Sequence, residues 1–517
     1  MRNITILWTD DEIDLLKPHI LFLESKGYQV TTANNGDDAI ELAKANNFDI
    51  IFLDENMPGL SGLQTLTFIK NIQPNTPVIM ITKSEAEDLM NEAIGSKIAD
   101  YLIKPVNPNQ ILLSIKKNID TKRLVTEKTT SAYQTAFREM SMKLNNRLSY
   151  SEWVDIYKEL VFWEMELEKS GDNTLDEVLK LQKAEANNAF AKFIKNNYLH
   201  WLDPKTTDKP LLSPGVFKSK VVPLLEKNEN VFVLIVDNLR FDQWRAISPL
   251  ISEYFQVDEE GIFCSILPTA TQYSRNAMFS GLMPSEIDKI FPDLWLNDEE
   301  EGGKNMHEED LLHTQMARYG WNEKLYYDKI NDNKAGKKLL ENINKILNNK
   351  LAVVVFNFVD MLSHARTEMK MIRELADDEA AYRSLTVSWF EHSPLFELLK
   401  ELSNRKVKVI ITTDHGTIRV NNAIKVVGDK NTTTNLRYKN GKSLNYNPKE
   451  VFEILQPEKA HLPKSHISTS YIFATGDDFF AYPNNYNYYV SYYKNTFQHG
   501  GISLEEMLIP LITLSPK

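Results

Sequence analysis

The chain is poor in cysteine and has no long apolar run. Cys264 is the only cysteine among 517 residues, which excludes an intramolecular disulfide and a cysteine-based zinc site and is typical of a reducing compartment. No stretch reaches the roughly 18 to 20 apolar residues that a membrane-spanning helix needs. The first apolar run, Ile4 to Trp8, leads directly into Asp10 and Asp11 and is too short for the core of a secretory signal. We therefore expect a cytoplasmic protein without membrane insertion.

Glycine and proline are also scarce, with 19 and 21 residues, while the chain is 42% hydrophobic and 25% charged. This composition excludes collagen-like, low-complexity and largely disordered proteins. A chain of 517 residues is too long for one hydrophobic core, so we expect several domains. The net charge of -12 argues against binding duplex DNA over the whole surface. No helix-turn-helix or other sequence-specific DNA-binding motif is evident.

Residues 1–120 alternate short apolar runs with amphipathic stretches. Five of these runs are predicted strands: Ile4–Trp8, Gln29–Thr32, Asp49–Leu53, Val78–Ile81 and Tyr101–Ile103. Such βα units predict a parallel sheet with helices on both faces and a site at the carboxyl ends of the strands.

Polar residues follow four of these strands and are expected to meet at that edge of the sheet. They are Asp10, Asp11, Asp54, Thr82 and Lys104. Three crowded carboxylates need a cation, and an open site with hard oxygen ligands suits Mg²⁺. With Mg²⁺ and a lysine to neutralise an incoming phosphoryl group, Asp54 would be the nucleophile, and Thr82 would then bond the new phosphate.

The segment from Asp54 to Gly62 matches the D-x-x-M-P-x-x-x-G pattern of receiver domains of two-component response regulators. The first 120 residues resemble that family, which implies a flavodoxin-like (βα)5 fold, phosphorylation of Asp54 and a sensor histidine kinase as partner. By this resemblance Asn56 offers a backbone carbonyl to Mg²⁺, and Tyr101 is the aromatic residue that rotates in the switch. Taken singly, each residue fits a solvated loop, whereas the full set at strand ends favours the receiver interpretation.

Residues 121–205 have apolar spacings of three and four and predict a central helical bundle. Residues 206–517 return to an α/β pattern. Three apolar, β-branched runs there are predicted strands buried on both faces, Val231–Val236, Val353–Val359 and Val407–Thr413, and an acid follows each run directly. The prediction is an α/β multidomain protein in which residues 206–517 form a domain with a mainly parallel sheet.

The carboxylates and histidines of the third region are candidate metal ligands. They are Asp237, Asp360, His364, Asp414, His415 and His499. Asp and His are the zinc ligands left to a chain with one cysteine, and two neighbouring metals would clamp the oxygens of a phosphoryl transfer. Among several hydroxyls between Pro268 and Ser274 we choose Thr271 as the nucleophile.

The run from Pro268 to Pro284 reads like the P-T-x-T…S/T-G-x-x-P signature of the diesterase and pyrophosphatase branches of the alkaline phosphatase superfamily. The D-x-x-R, D-x-x-x-H, D-H-G and H-G motifs occur in that family's order, with Asn238 and Ser363 where relatives often carry glycine. This divergent pattern resembles the PglZ domain. The resemblance implies two Zn²⁺, one held by Asp360, His364 and His499, the other by Asp237, Asp414, His415 and the Thr271 oxygen.

A receiver, a helical segment and a PglZ-type domain in one chain resemble PorX-type response regulators, which implies control of type IX secretion. The leading interpretation is a response regulator that controls a zinc-dependent phosphodiesterase acting on nucleotides or oligonucleotides. Receiver families suggest a phosphorylation-dependent homodimer through the fourth and fifth helices. The alternatives are a phosphatase or sulfatase on monoesters, a degenerate site that binds phosphate only, and an adaptor that docks a sigma factor or a secretion-system component.

Three further patterns carry weaker signals. The acid-rich residues 298–310 predict a solvated surface insertion. A basic loop, containing Lys425, Lys430, Arg437, Lys439 and Lys442, is either solvated or guides an anionic substrate. Tyrosines between residues 479 and 497 either stack on nucleobases or, as we favour, pack in the core.

Overall fold

The computed structural model describes residues 4–74, 76–83, 98–170, 175–376, 378–429 and 432–517. The chain forms two compact units, residues 1–134 with 170–172 and residues 135–169 with 173–517. Among the described residues, no helix combines the length and the apolar character needed to cross a membrane.

The first unit contains a five-stranded sheet with the strand order β2-β1-β3-β4-β5, and all neighbouring strands are parallel. The strands are β1 Thr5–Thr9, β2 Gln29–Ala33, β3 Ile50–Asp54, β4 Val78–Thr82 and β5 Asp100–Ile103. The helices are Lys17–Ser25, Gly36–Ala45, Gly62–Ile72 and Pro108–Ile115. The flavodoxin-like receiver fold is confirmed, and each predicted strand lies within one residue of the observed one.

Alternation along the strands divides the core of this unit between the two faces of the sheet. Leu7, Ile51 and Leu53 are buried on one face, whereas Trp8 and Phe52 are buried on the other. Both faces are apolar because helices cover both, as parallel sheets require. In the three central strands, β1, β3 and β4, the polar residues therefore lie at the strand ends.

Three long helices follow: Thr121–Leu144, Tyr150–Ser170 and Asp176–Trp201. The predicted helical segment is confirmed. Most of it belongs to the second compact unit, and the division of the chain into domains 1–120, 121–205 and 206–517 stays a prediction.

The second unit is built on a six-stranded sheet of order β7-β18-β10-β6-β9-β8. Its strands are β6 Val231–Val236, β7 Phe255–Cys264, β8 Leu325–Ile330, β9 Leu351–Phe356, β10 Lys408–Thr412 and β18 Leu508–Pro516. β18 is antiparallel to both neighbours, and the other pairs are parallel. The mainly parallel sheet is thus confirmed.

Smaller sheets and many helices surround this sheet. The strands are β11 Ile418–Arg419, β12 Asn422–Lys425, β13 Tyr438–Gly441, β14 Phe452–Ile454, β15 Ser470–Phe473, β16 Asp478–Ala481 and β17 Phe497–Gln498. The helices are Val222–Glu226, Phe241–Ile251, Thr271–Ser280, Pro284–Ile290, Glu308–Arg318, Asn333–Glu341, Ile343–Ile346, Phe358–Glu368, Lys370–Leu375, Glu379–Glu391, Pro394–Ser403, Tyr486–Tyr493 and Leu504–Met507.

The predicted strand Val353–Val359 is wrong at both ends. The strand begins at Leu351 and ends at Phe356, and Val359 lies in the helix Phe358–Glu368. The apolar run crosses the boundary between strand and helix, so composition does not reveal it. Asp360 consequently occupies the first turn of a helix instead of following the strand directly.

Buried ion pairs join the helix Tyr150–Ser170 to the sheet-bearing part of the second unit. The Arg383 guanidinium lies 2.8 Å from a Glu164 oxygen and 3.0 Å from an Asp242 oxygen, and Lys183 lies 2.7 Å from the other Glu164 oxygen. Burial raises the pKa of Glu164, but Lys183 and Arg383 outweigh burial and the net pKa is lowered. The charges therefore stay ionised and bind the elements together.

We expect Arg383→Met to lower the free energy of unfolding of the full chain by about 3 to 5 kcal/mol, because the buried carboxylates of Glu164 and Asp242 each lose one of their two cationic partners. Arg405→Met is the matched control: it removes a surface pair with Glu401 at 3.2 Å and should cost less than about 1 kcal/mol. Urea unfolding measures both. Equal losses in the two variants would contradict a structural role for the buried network.

Candidate functional site

The first site lies at the carboxyl edge of the five-stranded sheet. The Lys104 ammonium lies 2.9 Å from an Asp10 oxygen and 3.1 Å from an Asp54 oxygen. Asp10, Asp11 and Asp54 each present one carboxylate oxygen, and these atoms lie within 4.8 Å of one another. This is a donor set that fits a hard divalent cation such as Mg²⁺.

Gly62 allows the next helix to begin directly against this pocket. A Cβ atom at this position would lie 2.3 Å from the backbone oxygen of Asp54 and 2.8 Å from the Cα of Glu55. No side chain fits at such distances. The glycine of the D-x-x-M-P-x-x-x-G pattern is therefore needed for close packing beside the nucleophile.

The Asp54 carboxyl is held in an unfavourable environment. Burial raises its pKa to about 6, Lys104 acts in the opposite direction, and Asp10 and Asp11 add to the rise. The carboxylate that would attack phosphorus is thus destabilised until a further cation joins Lys104.

The remaining receiver residues are placed at the same edge or beside it. Thr82 ends β4, and its hydroxyl donates to a Glu55 carboxylate oxygen. Tyr101 lies in β5 and is 37% exposed, while Asn56 is exposed in the loop after Asp54. Part of the predicted dimer face, the fourth helix, falls on residues 84–97, which lie outside the described residues.

The raised pKa of Asp54 predicts a pH effect on stability. Because the folded chain keeps this proton to a higher pH than the unfolded chain, the free energy of unfolding falls as the pH rises from about 4 to about 6. In the presence of EDTA, wild type should lose about 2 kcal/mol across this window relative to Asp54→Asn. The measurement is scanning calorimetry. The unfolding transition to follow is the one that shifts when Mg²⁺ is added in place of EDTA. Asp37→Asn, at an exposed position, is the control, and parallel pH profiles for wild type and Asp54→Asn would contradict the prediction.

The second site contains two groups of candidate ligands. Asp360, His364 and His499 form one group, and Asp237, Asp414 and His415 the other, each with ligand atoms within 4.8 Å of one another. The His415 and His499 rings stack with centroids 4.2 Å apart. The two groups therefore adjoin, as a two-metal site requires.

The His415 and His499 rings have the protonation pattern of metal ligands. Nδ1 of His415 lies 3.1 Å from the Gly416 carbonyl oxygen, and Nδ1 of His499 lies 3.2 Å from the Thr269 carbonyl oxygen. Each Nδ1 must carry a proton to donate to its carbonyl, so each Nε2 keeps a lone pair. Burial and the neighbouring His415 lower the pKa of His499, which keeps that ring neutral.

Asp237 and Asp414 are two buried carboxylates whose acidities are pushed apart. Burial raises the pKa of Asp237 well above its usual value. Burial acts the same way on Asp414, but Arg275 and His415 outweigh it and lower the pKa of that carboxyl. Within the described residues, one Asp237 oxygen is buried and accepts no hydrogen bond from a donor group. A second cation beside Arg275 would let both carboxylates ionise, so these residues fit a metal.

Thr271 lies at a helix N-terminus, beside the candidate ligand His415. It begins the helix Thr271–Ser280, and its hydroxyl oxygen lies 3.0 Å from Nε2 of His415. The Asn305 side chain donates to the Thr271 carbonyl oxygen at 3.0 Å and fixes this turn. An anion placed here would meet the free N–H groups of the first helical turn.

Two residues of this site were not predicted from the sequence. The Arg275 guanidinium contacts Asp237, lies 3.2 Å from an Asp414 oxygen and reaches Glu308 at 3.4 Å. Both Arg275 and Glu308 are buried. The spacing of four between Thr271 and Arg275 on one helix was a usable signal, since it places both on the same face.

The prediction of a solvated insertion at residues 298–310 holds for residues 299–303, 309 and 310, which are exposed, but it is wrong for Asp298 and Glu308. Glu308 is buried against Arg275, and Asp298 accepts hydrogen bonds from Tyr273 at 2.7 Å and Tyr438 at 3.1 Å. Acid-rich composition predicted solvent contact, but long-range partners compensate these charges.

The basic loop does not present a row of solvated cations. Arg437 is buried and bonds Glu506 at 2.6 Å. Lys439 is buried beneath Tyr482, where burial lowers its pKa to about 7. Lys430 lies outside the described residues. The other two described cations, Lys425 and Lys442, are exposed, which fits a solvated loop.

Asn238 and Ser363, the two departures from glycine, contact each other. The Asn238 amide donates to the Ser363 hydroxyl and to an Asp360 oxygen, each at 3.2 Å. Asn238 has a φ of 65°, a conformation that asparagine tolerates better than most residues. The pair therefore orients the candidate ligand Asp360.

We expect Arg275→Met to destabilise the EDTA-treated chain by about 3 to 5 kcal/mol, because three buried carboxylates lose their shared cation. Arg245→Met is the control: it breaks a surface pair with Glu260 at 3.1 Å and should cost under about 1 kcal/mol. Thermal unfolding at fixed pH measures both. A variant as stable as the control would show that Arg275 does not balance these charges.

The family model of the BREX system PglZ alkaline phosphatase-like domain matches residues 216–514, more than half of the 517-residue chain. The chain belongs to the PglZ family. The PorX response regulator linker domain matches residues 123–202, and the response regulator receiver domain matches residues 6–116. This PglZ protein therefore has the architecture of a PorX-type regulator, and the predicted family is confirmed.

Curated relatives share a limited part of the chain. The transcriptional regulatory protein ZraR of Klebsiella oxytoca is 33% identical over 123 residues, which cover 24% of this chain and 28% of ZraR. The transcriptional regulatory protein SrrA of Staphylococcus aureus is 34% identical over 111 residues, which cover 22% of this chain and 46% of SrrA. The matches thus span less than half of these relatives.

Solved structures of receiver domains are similar to about the same fraction of this chain as the curated relatives are. A CheY-like receiver protein from Methanospirillum hungatei is 25% identical with a TM-score of 0.23, covering 23% of this chain and 96% of its own. A receiver domain protein from Clostridium thermocellum is 32% identical with a TM-score of 0.22, covering 23% and 98%.

Proposed function

We propose that this protein is a phosphorylation-controlled, two-zinc phosphodiesterase acting on nucleotide-like or oligonucleotide substrates. The observation that carries the proposal is the position of Thr271, whose hydroxyl oxygen lies 3.0 Å from Nε2 of His415 at the start of a helix. An alkaline phosphatase-like domain indicates a phosphoesterase-type hydrolase. A scaffold has no physical need for a half-buried hydroxyl beside two ligand groups.

The residues of the site would divide the work as follows. Asp360, His364 and His499 would hold one Zn²⁺, and Asp237, Asp414 and His415 the other, with the Thr271 oxygen beside it. The ions would supply positive charge to the phosphoryl group and acidify an attacking hydroxyl. Thr271 would attack phosphorus and displace one alcohol of the diester, and water would then hydrolyse the covalent intermediate to release the monoester and the free Thr271 hydroxyl. The helix N–H groups would bind the phosphate oxygens, and Arg275 would hold the carboxylates in place.

Diesters are preferred over monoesters on the resemblance of residues 268–284 to the diesterase branch. Since Arg437 and Lys439 are buried, the basic loop adds nothing to this preference. The exposed position of His364, whose side chain is 61% exposed, supports a substrate that extends beyond the reacting phosphate.

The receiver would control this activity. We propose that a sensor histidine kinase phosphorylates Asp54 with Mg²⁺ held by Asp10, Asp11 and the Asn56 carbonyl, and that Thr82, Tyr101 and Lys104 respond to the new phosphate. We further propose that the protein forms a phosphorylation-dependent dimer in the cytoplasm and controls type IX secretion through a sigma factor or a secretion-system component; the matches to the PorX linker and receiver domains support this proposal.

The test compares purified wild type, Thr271→Ala and Thr271→Ser for zinc content and for hydrolysis of chromogenic phosphate mono- and diesters. We expect two zinc ions per chain in all three proteins. Thr271→Ala should lose diester turnover by about a thousandfold or more, because the nucleophile is removed. Thr271→Ser keeps the hydroxyl and should retain measurable turnover.

If wild type binds metal but hydrolyses neither ester, with or without a phosphoryl mimic at Asp54, the proposed phosphodiesterase activity is contradicted. The adaptor interpretation would then explain the site better. Faster hydrolysis of the monoester would instead leave the hydrolase and overturn the diester preference.

A further inference from the structure

The helix Tyr486–Tyr493 presents aromatic side chains on two faces. Tyr486, Val490 and Tyr493 pack against the small core cluster formed on β11 and β16. The opposite face is left to solvent, where Tyr488 is 63% exposed and Tyr489 is 37% exposed. Core packing, the interpretation favoured from the sequence, therefore explains only one face of this helix.

The tyrosine helix and the candidate ligands Asp360, His364 and His499 lie on the same two segments of the chain. The segment 358–375 carries two of these ligands, and the segment 486–499 carries the third. The two segments touch near the ligands, because the Gln498 amide donates to the Thr367 hydroxyl at 3.4 Å. Thr367 lies about one helical turn beyond His364.

The same two segments touch again at the tyrosine helix. The Arg373 guanidinium lies 5.3 Å from the centroid of the Tyr492 ring. The rings of Tyr488 and Tyr492 are inclined by 17° with centroids 6.1 Å apart. Aromatic rings on one helix face, with an arginine beside them, are the features on which unpaired bases stack.

Segment 358–375 also exposes several large apolar side chains. Met361, Met369 and Met371 are 50%, 54% and 68% exposed, and Leu375 is 55% exposed. Large apolar side chains exposed on one short segment mark binding surfaces more often than isolated ones do. His364, itself exposed, lies within this segment.

We propose that Tyr488, Tyr492 and Arg373 form a base-stacking subsite for an unpaired nucleotide of a phosphodiester whose reacting phosphate lies beside Thr271, between the two adjoining ligand groups. This inference rests on the proposed phosphodiesterase function and names its substrate class. The tyrosine rings stack on the base, and the Arg373 guanidinium, which also donates to the Thr367 carbonyl oxygen, adds positive charge beside them. A diester without a base makes none of these contacts.

The experiment uses two diesters with the same leaving group, the p-nitrophenyl ester of thymidine 5′-monophosphate and methyl p-nitrophenyl phosphate. Both are assayed with the zinc-loaded full chain, as wild type, Tyr488→Ala and the double variant Tyr488→Ala with Tyr492→Ala. The ratio of kcat/KM for the thymidine ester to that for the methyl ester should fall by about tenfold in the double variant, mainly through KM. Phe162→Ala is the matched control, since this aromatic is 47% exposed elsewhere in the unit.

An unchanged ratio, or an equal fall in the Phe162→Ala control, would overturn the subsite. Turnover of neither ester by wild type would contradict the phosphodiesterase itself. In that case the anisotropy of a fluorescein-labelled oligothymidylate decides: weaker binding by the double variant than by wild type supports the stacking subsite, and equal binding overturns it. The single variant Tyr488→Ala, at a largely exposed position, should fold normally. A lower ratio in this variant therefore reports the loss of a base contact and not misfolding.

Discussion

The repulsion between carboxylates buried at the ends of apolar strands is the constraint on which both sites depend. Asp54 ends β3, and Asp237 and Asp414 lie just beyond β6 and β10. Asp54 and Asp237 follow apolar strand residues, and Asp414 accepts one hydrogen bond from Thr413 at 3.2 Å, so most of the compensation must come from cations. Each site contains one such cation, Lys104 in the first and Arg275 in the second. One positive charge does not balance two or three carboxylates, which leaves room in both sites for a divalent ion.

This constraint extends beyond the candidate ligands. Arg275 makes its third contact with Glu308, which in turn accepts a hydrogen bond from Tyr327 and an ion pair from Lys329 at 3.3 Å. Tyr327 and Lys329 belong to β8, at the far edge of the six-stranded sheet. A change of charge at Arg275 therefore alters the electrostatic environment of Glu308 and, through it, of Tyr327 and Lys329 on β8.

Sequence patterns predicted what depends on local periodicity. The strands of the receiver and the order of the ligand motifs follow from apolar runs and the acids beyond them. Arg275 and Glu308 could not be recognised in this way, because they are 33 residues apart and their pairing is visible only in the fold. The acid-rich surroundings of Glu308 and the basic surroundings of Arg437 indicated solvent, whereas both charges are buried with distant partners.

Asn238 and Ser363 show how two departures from a family pattern act as one change. A glycine at position 238 adopts a positive φ without strain, and asparagine adopts it at a modest cost. The amide gained by that substitution reaches the Ser363 hydroxyl and the Asp360 carboxylate, each at 3.2 Å. Glycine at position 363 would leave the amide with one partner fewer in a buried place. Each substitution is therefore reasonable only in the presence of the other, and together they hold a candidate metal ligand in position.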